Sequence, residues 1–183
     1  MNTLLRSLIS LSASLLSLPL LSASLPAATV DNFNRHFADS TLRLDYIFGG
    51  DSASTSIMLA NHSKVNGWAG RRHNLSSLPL QGNGQITMLD PASGDTLYIN
   101  SFSTLYQEWL ATPESAERPR AFENTFLLPL PHSKVNVEVT LFDCRHNTVA
   151  RVLHPLDPAD NLIADLSSIT PAPHRYIRRS SDP

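Results

Sequence analysis

The sequence predicts an all-β fold: an antiparallel β-sandwich, jelly-roll or Greek-key like, with one or two short helices. Three observations carry that prediction. Several runs alternate apolar and polar residues with period 2, the pattern of strands that bury one face. Turn signals recur roughly every 8–12 residues, which suits a sandwich or barrel better than a parallel α/β sheet. Thirteen prolines stand against seven glycines, and no long stretch of helical periodicity alternates with the strands.

Taken in chain order, Leu42, Leu44, Tyr46 and Phe48 alternate with Arg43, Asp45 and Ile47, and Gly49-Gly50 closes the run. Thr55–Ala60 is a second, shorter apolar run. Ile86–Leu89 and Thr96–Ile99 flank the turn cluster Asp90-Pro91-Ala92-Ser93-Gly94, so the pair reads as a hairpin. Ser103 is expected to cap a short helix over 104–110, with Leu105 above Trp109 and Tyr106 above Leu110 at i, i+4 spacing, ended by Pro113. Phe122, Asn124, Phe126 and Leu128 form a period-2 run that Pro129 and Pro131 terminate. Val135, Val137, Val139 and Leu141 make the clearest one-faced strand. Thr148–Leu153 supplies the last, stopped by His154-Pro155, and a further short turn is expected over 158–162.

Composition sets the limits. At 42% hydrophobic and 16% charged the chain can build a core, and its formal net charge of −2 offers no basic footprint for nucleic acid. Met1–Arg6 with one positive charge, a leucine- and serine-rich uncharged run from Ser7 to Leu21, and small residues at 22–24 and 26–28 reproduce the layout of a secretory signal peptide. The run is too short and polar for a membrane span, which needs about 20 apolar residues. Residues 1–28 are therefore assigned as signal peptide, which implies a secreted, periplasmic or cell-surface protein with no membrane span after cleavage. Residues 29–166, about one ordinary domain in size, are assigned to the sandwich. Residues 167–183, rich in proline, small polar residues and charge, read as a linker or the truncated start of a following domain. The single cysteine, Cys144, excludes an internal disulfide and is expected to be a packed thiol at a strand end.

Catalytic signatures are missing. None of the seven histidines begins His-Glu-x-x-His, and one cysteine provides no Cys-x-x-Cys zinc site. There is no Gly-x-Ser-x-Gly nucleophile elbow, and the Asp39/Asp45 and Glu114/Glu117 carboxylates show no pairing that sequence can establish. Catalytic and metal residues are accordingly assigned as none, and no cofactor is assigned to this chain. Four residues stand as candidate binding positions: Trp68 and Arg71, in the glycine-flanked segment 67–72, and Tyr106 and Trp109 on the short helix. A loop tryptophan beside arginine can stack on a sugar or hold a peptide, whereas large aromatics more often bury their area. An extracellular glycan or protein is the ligand class these positions suit. The basic triplet Arg71-Arg72-His73 and the tail from Arg175 to Arg179 are expected to be solvated. The sequons beginning at Asn61 and Asn74 are expected to mark surface loops.

Several segments in order, Phe37 to Tyr46, Trp68-Ala69-Gly70-Arg71, Asp95-Thr96-Leu97-Tyr98, Ser101 to Trp109, Phe122-Glu123 and Pro129-Leu130-Pro131, resemble the N-terminal domain of metallopeptidase family 64. That family is typified by bacterial IgA peptidases, and the resemblance spans about Asn34 to Asp165. It implies a β-sandwich placed ahead of a zinc-dependent peptidase domain, normally in the same chain, which carries the His-Glu-x-x-His helix and the zinc. The sequence stops at Pro183, so the resemblance transfers no catalytic or zinc-binding residue. It implies a non-catalytic accessory domain that positions substrate or packs on the peptidase domain. The rival readings are a free-standing binding module and an enzyme whose site is assembled from distant residues.

Overall fold

Alternation along β1 (Phe37–Gly50) sends Leu42, Leu44, Tyr46 and Phe48 inward, each no more than 1% exposed, and leaves Arg43 in solvent. This strand is the spine of one sheet. The computed structural model describes residues 31–168; the assigned signal peptide and positions 169–183, with the basic tail, lie outside them. The other strands are β2 (Thr55–Asn66), β3 (Gly84–Leu89), β4 (Thr96–Phe102), β5 (Arg120–Pro131), β6 (Val135–Phe142), β7 (Thr148–Leu156) and β8 (Ala164–Asp165). Helix α1 (Asp31–His36) leads into β1, α2 (Leu105–Leu110) follows β4, and a 3-10 turn over Pro113–Ala116 precedes β5.

Two four-stranded sheets face each other, in the orders β5-β1-β2-β8 and β4-β3-β6-β7. All pairings are antiparallel except β8, which lies parallel to β2 at two positions. The expected all-β sandwich is what the chain builds, with that one parallel edge added. Ile86 and Met88 of β3, and Val135, Val137, Val139 and Leu141 of β6, meet the β1 row in the core, with Phe126 and Leu128 of β5. Burying each such side chain contributes about 1.5–3 kcal/mol relative to exposure, so these rows dominate the fold. Tyr46 carries a hydroxyl into this core and finds a partner across the sandwich, the His154 imidazole on β7, at 2.7 Å.

Several boundaries differ from expectation for identifiable reasons. Pro129 and Pro131 do not end β5, because β5 is an edge strand and a missing N–H there need not break a ladder bond. Edge position likewise lets β7 run through His154-Pro155 to Leu156. β2 passes its expected end at Ala60, which bulges where the register shifts opposite Asp45/Tyr46, and continues to Asn66. The sequon at Asn61 therefore lies on a strand, not a loop. β4 likewise continues beyond Ile99 to Phe102. Thr104, not Ser103, caps α2: its hydroxyl accepts from the Gln107 N–H at 3.2 Å. Pro113 opens the 3-10 turn instead of closing the helix, which already stops at Leu110. Cys144 is exposed, a correction to the packed thiol expected of it. The β6 strand ends one residue earlier than Asp143, whose carboxylate takes the N–H groups of Arg145 and Asn147 at 2.8 Å each and folds the chain into a turn with Cys144 in it.

Candidate functional site

The segment Gly67–Leu75 leaves β2 and closes one flank of the sandwich, and its geometry follows from β1. Asp39 on β1 accepts the backbone N–H of Trp68 at 3.1 Å and one guanidinium nitrogen of Arg72 at 2.6 Å. Those donors, the Arg72 bond foremost, hold the Asp39 carboxyl below its usual range. Thr41 donates its hydroxyl to the Gly67 carbonyl at 2.6 Å. The Trp68 ring then sits edge-on to Tyr98 of β4, 6.0 Å between centroids, with its indole N–H donated to the Arg71 carbonyl at 3.1 Å. Gly70 packs against the same ring so closely that a Cβ would lie 2.2 Å from it.

Arg71 is clamped in turn. Its guanidinium donates to the carbonyls of Asn74, Leu75 and Ile99 and lies 5.0 Å over the Tyr98 ring, while its Nε is buried without a partner. The Ile99 N–H donates to the Leu75 carbonyl at 2.9 Å, so both outward backbone groups of Ile99 on β4 are taken by this loop. Far from being freely solvated, Arg71 and Arg72 are both tied down, Arg72 also lying 4.7 Å over the Phe33 ring. Beside the loop is a cleft of about 450 Å³ whose walls include Trp68, Arg71, Tyr98, Asn100 and Leu127. Trp68 itself is 8% exposed, and its N–H is engaged.

Tyr106 and Trp109 lie elsewhere. The loop above is anchored near Thr41, whereas Tyr106 bonds through its hydroxyl to Thr55 at 3.0 Å, just past the far end of β1. Nine residues of strand at about 3.3 Å each separate those ends by roughly 30 Å, so the two candidate pairs do not form one site. The Tyr106 and Trp109 rings stack 5.9 Å apart and both pack on Phe122 of β5. The Trp109 N–H donates to the Glu114 carboxylate at 3.0 Å, which also binds Arg120 and Arg118. These contacts, Arg120 first, keep the Glu114 carboxyl below its usual range.

A residue that sequence reasoning passed over organises this end. Gln107 donates both amide hydrogens, to the carbonyls of Asn83 and Phe142 at 2.8 Å each, and so ties α2 to the ends of β3 and β6. Next to it opens a cleft of about 490 Å³ lined by Leu110, Leu141 and Val149, with Thr55, Cys144 and His146 also on its walls. The Tyr46–His154 pair was equally hidden. Burial raises the Tyr46 hydroxyl well above its ordinary value, and desolvation lowers that of the His154 imidazole. These partners lie 108 residues apart, and no local pattern announces such a bond.

Among the described residues no group of three or more His, Cys, Asp or Glu is placed to hold a metal ion. The zinc of a peptidase thus finds no fitting donor set among them. Nor is any helix of the described residues long and apolar enough to cross a membrane. No curated protein matches the chain. The family model described as Peptidase M64 N-terminus matches residues 32–153, from α1 into β7. That match takes in both loop arginines, α2, β1 to β6 and the first part of β7, so the chain belongs to the Peptidase M64 N-terminus family, the N-terminal and not the catalytic domain of a peptidase.

Proposed function

We propose that this protein is the non-catalytic accessory domain of a secreted bacterial zinc metallopeptidase of the IgA-peptidase type, which packs on the peptidase domain and helps to position its substrate. The single observation that carries the reading is the family match over residues 32–153. The sandwich interior supports it. Polar side chains at Arg71, Gln107 and Tyr46 hold loops and sheets together. The charge–leucine–small-residue order of residues 1–28 supports export to the periplasm, cell surface or medium. The zinc belongs to the peptidase domain in this reading.

The test uses the peptidase domain of an M64 peptidase expressed without its own N-terminal domain. Adding this protein should raise the domain's unfolding temperature, since a ligand that binds only the folded state stabilises it. It should also raise kcat/KM on a protein substrate more than on a short peptide. If neither quantity changes at saturating concentrations, the accessory role is wrong.

A further inference from the structure

β2 and β7 belong to different sheets, and the chain itself bridges the gap between them. After Leu156 it leaves β7 and crosses to β2, where β8 pairs with Ser63 and Lys64 and the Leu166 N–H donates to the Lys64 carbonyl at 2.9 Å. Residues 157–168 thus form a strap from one sheet to the other. It borders a cavity of about 80 Å³ whose walls include His62 of β2, His154 and Leu156 of β7, and Asp157, Asp160 and Ile163 of the strap. His62 faces inward because it pairs with Leu44, a core residue of β1.

The strap is lightly held. Its ladder to β2 has two paired positions, and the Asn66 amide reaches the Ser167 carbonyl at 3.4 Å. The ion pairs Lys134–Asp157 at 3.0 Å and Lys64–Asp165 at 3.4 Å are largely in solvent, where such pairs contribute little. Ile163 is buried apart from the main core, while its neighbour Leu162 is exposed. Few buried contacts and a short ladder are the marks of a segment that opens before the rest of the fold.

The cavity also holds an imidazole placed to stay neutral. The Tyr46 hydroxyl meets His154 Nε2 at 2.7 Å, and Nδ1 stands 3.3 Å from the Pro155 carbonyl. A charged ring donates from both nitrogens, which leaves the buried Tyr46 O–H with no acceptor on it. Tyr46 faces His154 from β1 and His62 from β2, and the β6 residue paired with it is the apolar Val137. Of the strap carboxylates, Asp157 is taken by Lys134 and the Ala159 N–H, and Asp160 by the Leu162 N–H. Burial foremost, with His62 beside it, outweighs the Pro155 carbonyl and holds the His154 pKa below 6.5.

We propose that residues 157–168 are an acid-released strap: protonation of His154 opens them from the gap between β2 and β7 while the two sheets stay packed. Opening hydrates the ring, so between the closed-state pKa and 6.5 the open state binds more protons, and falling pH favours it. Above pH 6.5 the strap stays shut. Release frees the chain beyond Ser168 from β2 and adds up to about 40 Å to its reach. The device is independent of the accessory role proposed above.

The test follows amide exchange of the full chain residue by residue, corrected for the intrinsic rate at each pH. At pH 7.5 the Leu166 amide should be less protected than those of Val137 and Val139 on β6. From pH 7.5 to 5.5 its protection should fall several-fold, to no more than about tenfold for one imidazole with an open-state pKa of 6.5. His154→Gln should remove most of that fall. Equal protection of Leu166 and β6 would overturn the proposal, because the strap would then open only with the whole fold. So would a Leu166 protection that ignores pH, or a fall as large in His154→Gln. The pH profile of the unmodified chain is a second check that needs no variant: the fall should set in below pH 6.5. A fall that begins only below pH 4 belongs to the Asp157 and Asp165 carboxylates and contradicts the role of His154.

Discussion

Arg71 shows how a residue that looks available for ligands becomes part of the scaffold. Its planar guanidinium reaches several carbonyls while covering the Tyr98 ring, a fork that lysine does not reproduce. Arg71→Ala takes the side-chain donor from the Asn74 and Ile99 carbonyls, while Leu75 keeps the Ile99 N–H, and should lower stability by about 1–3 kcal/mol, measured as a fall in the urea midpoint. Gly70→Ala should cost a similar amount, about 1–3 kcal/mol, because the Trp68 ring stands where the new Cβ would go; the tryptophan fluorescence maximum should shift with it. His154 gives a prediction in pH. Desolvation lowers its folded pKa below 6.5, so between the folded pKa and 6.5 the unfolded chain binds more protons. Stability from this group is therefore full above pH 6.5 and is lost as pH falls through 6.5 toward the folded pKa. His36 is lowered in the same direction, chiefly by its own burial, so His154→Gln should flatten the decline in unfolding midpoint from pH 7 to 5 without abolishing it. A decline equally steep in the variant would show that His154 does not carry this proton.

At the scale of elements, α2 is six residues long and depends on its ends. Thr104→Ala should lower stability by about 1 kcal/mol and Ser103→Ala by much less, because only the Thr104 hydroxyl accepts from the first turn; thermal unfolding of the two variants separates them. Ser103 and Thr104 are both good caps by residue type, and only backbone geometry distinguishes them. Strand interiors are legible from the sequence wherever one face is buried: Val135–Leu141 alternates apolar and polar residues throughout, and Leu42–Phe48 does so except at Ile47. The strand ends were not, because proline stops a central strand but is compatible with an edge, and edge position is a property of the whole sheet. Cys144 was misplaced for a related reason. The sequence showed a strand reaching Phe142 but not that Asp143 would turn the chain outward. The two-residue β8 offers no periodicity to read and is held by pairing with β2 alone.

Across the molecule, the candidate positions fall into two groups at opposite ends of β1, and each is knitted into the fold by groups distant in sequence. Trp68 depends on Asp39 and Tyr98, and Trp109 on Glu114 and Phe122. Sequence identified the aromatics but not these partners, which only the stacking of two sheets brings near. The role proposed for the sandwich is to serve a peptidase without itself breaking peptide bonds. Its most direct test is hydrolysis of a protein substrate by the purified chain with zinc supplied. The account predicts no cleavage above the protein-free blank. Cleavage that co-purifies with the chain and disappears with a chelator would contradict it.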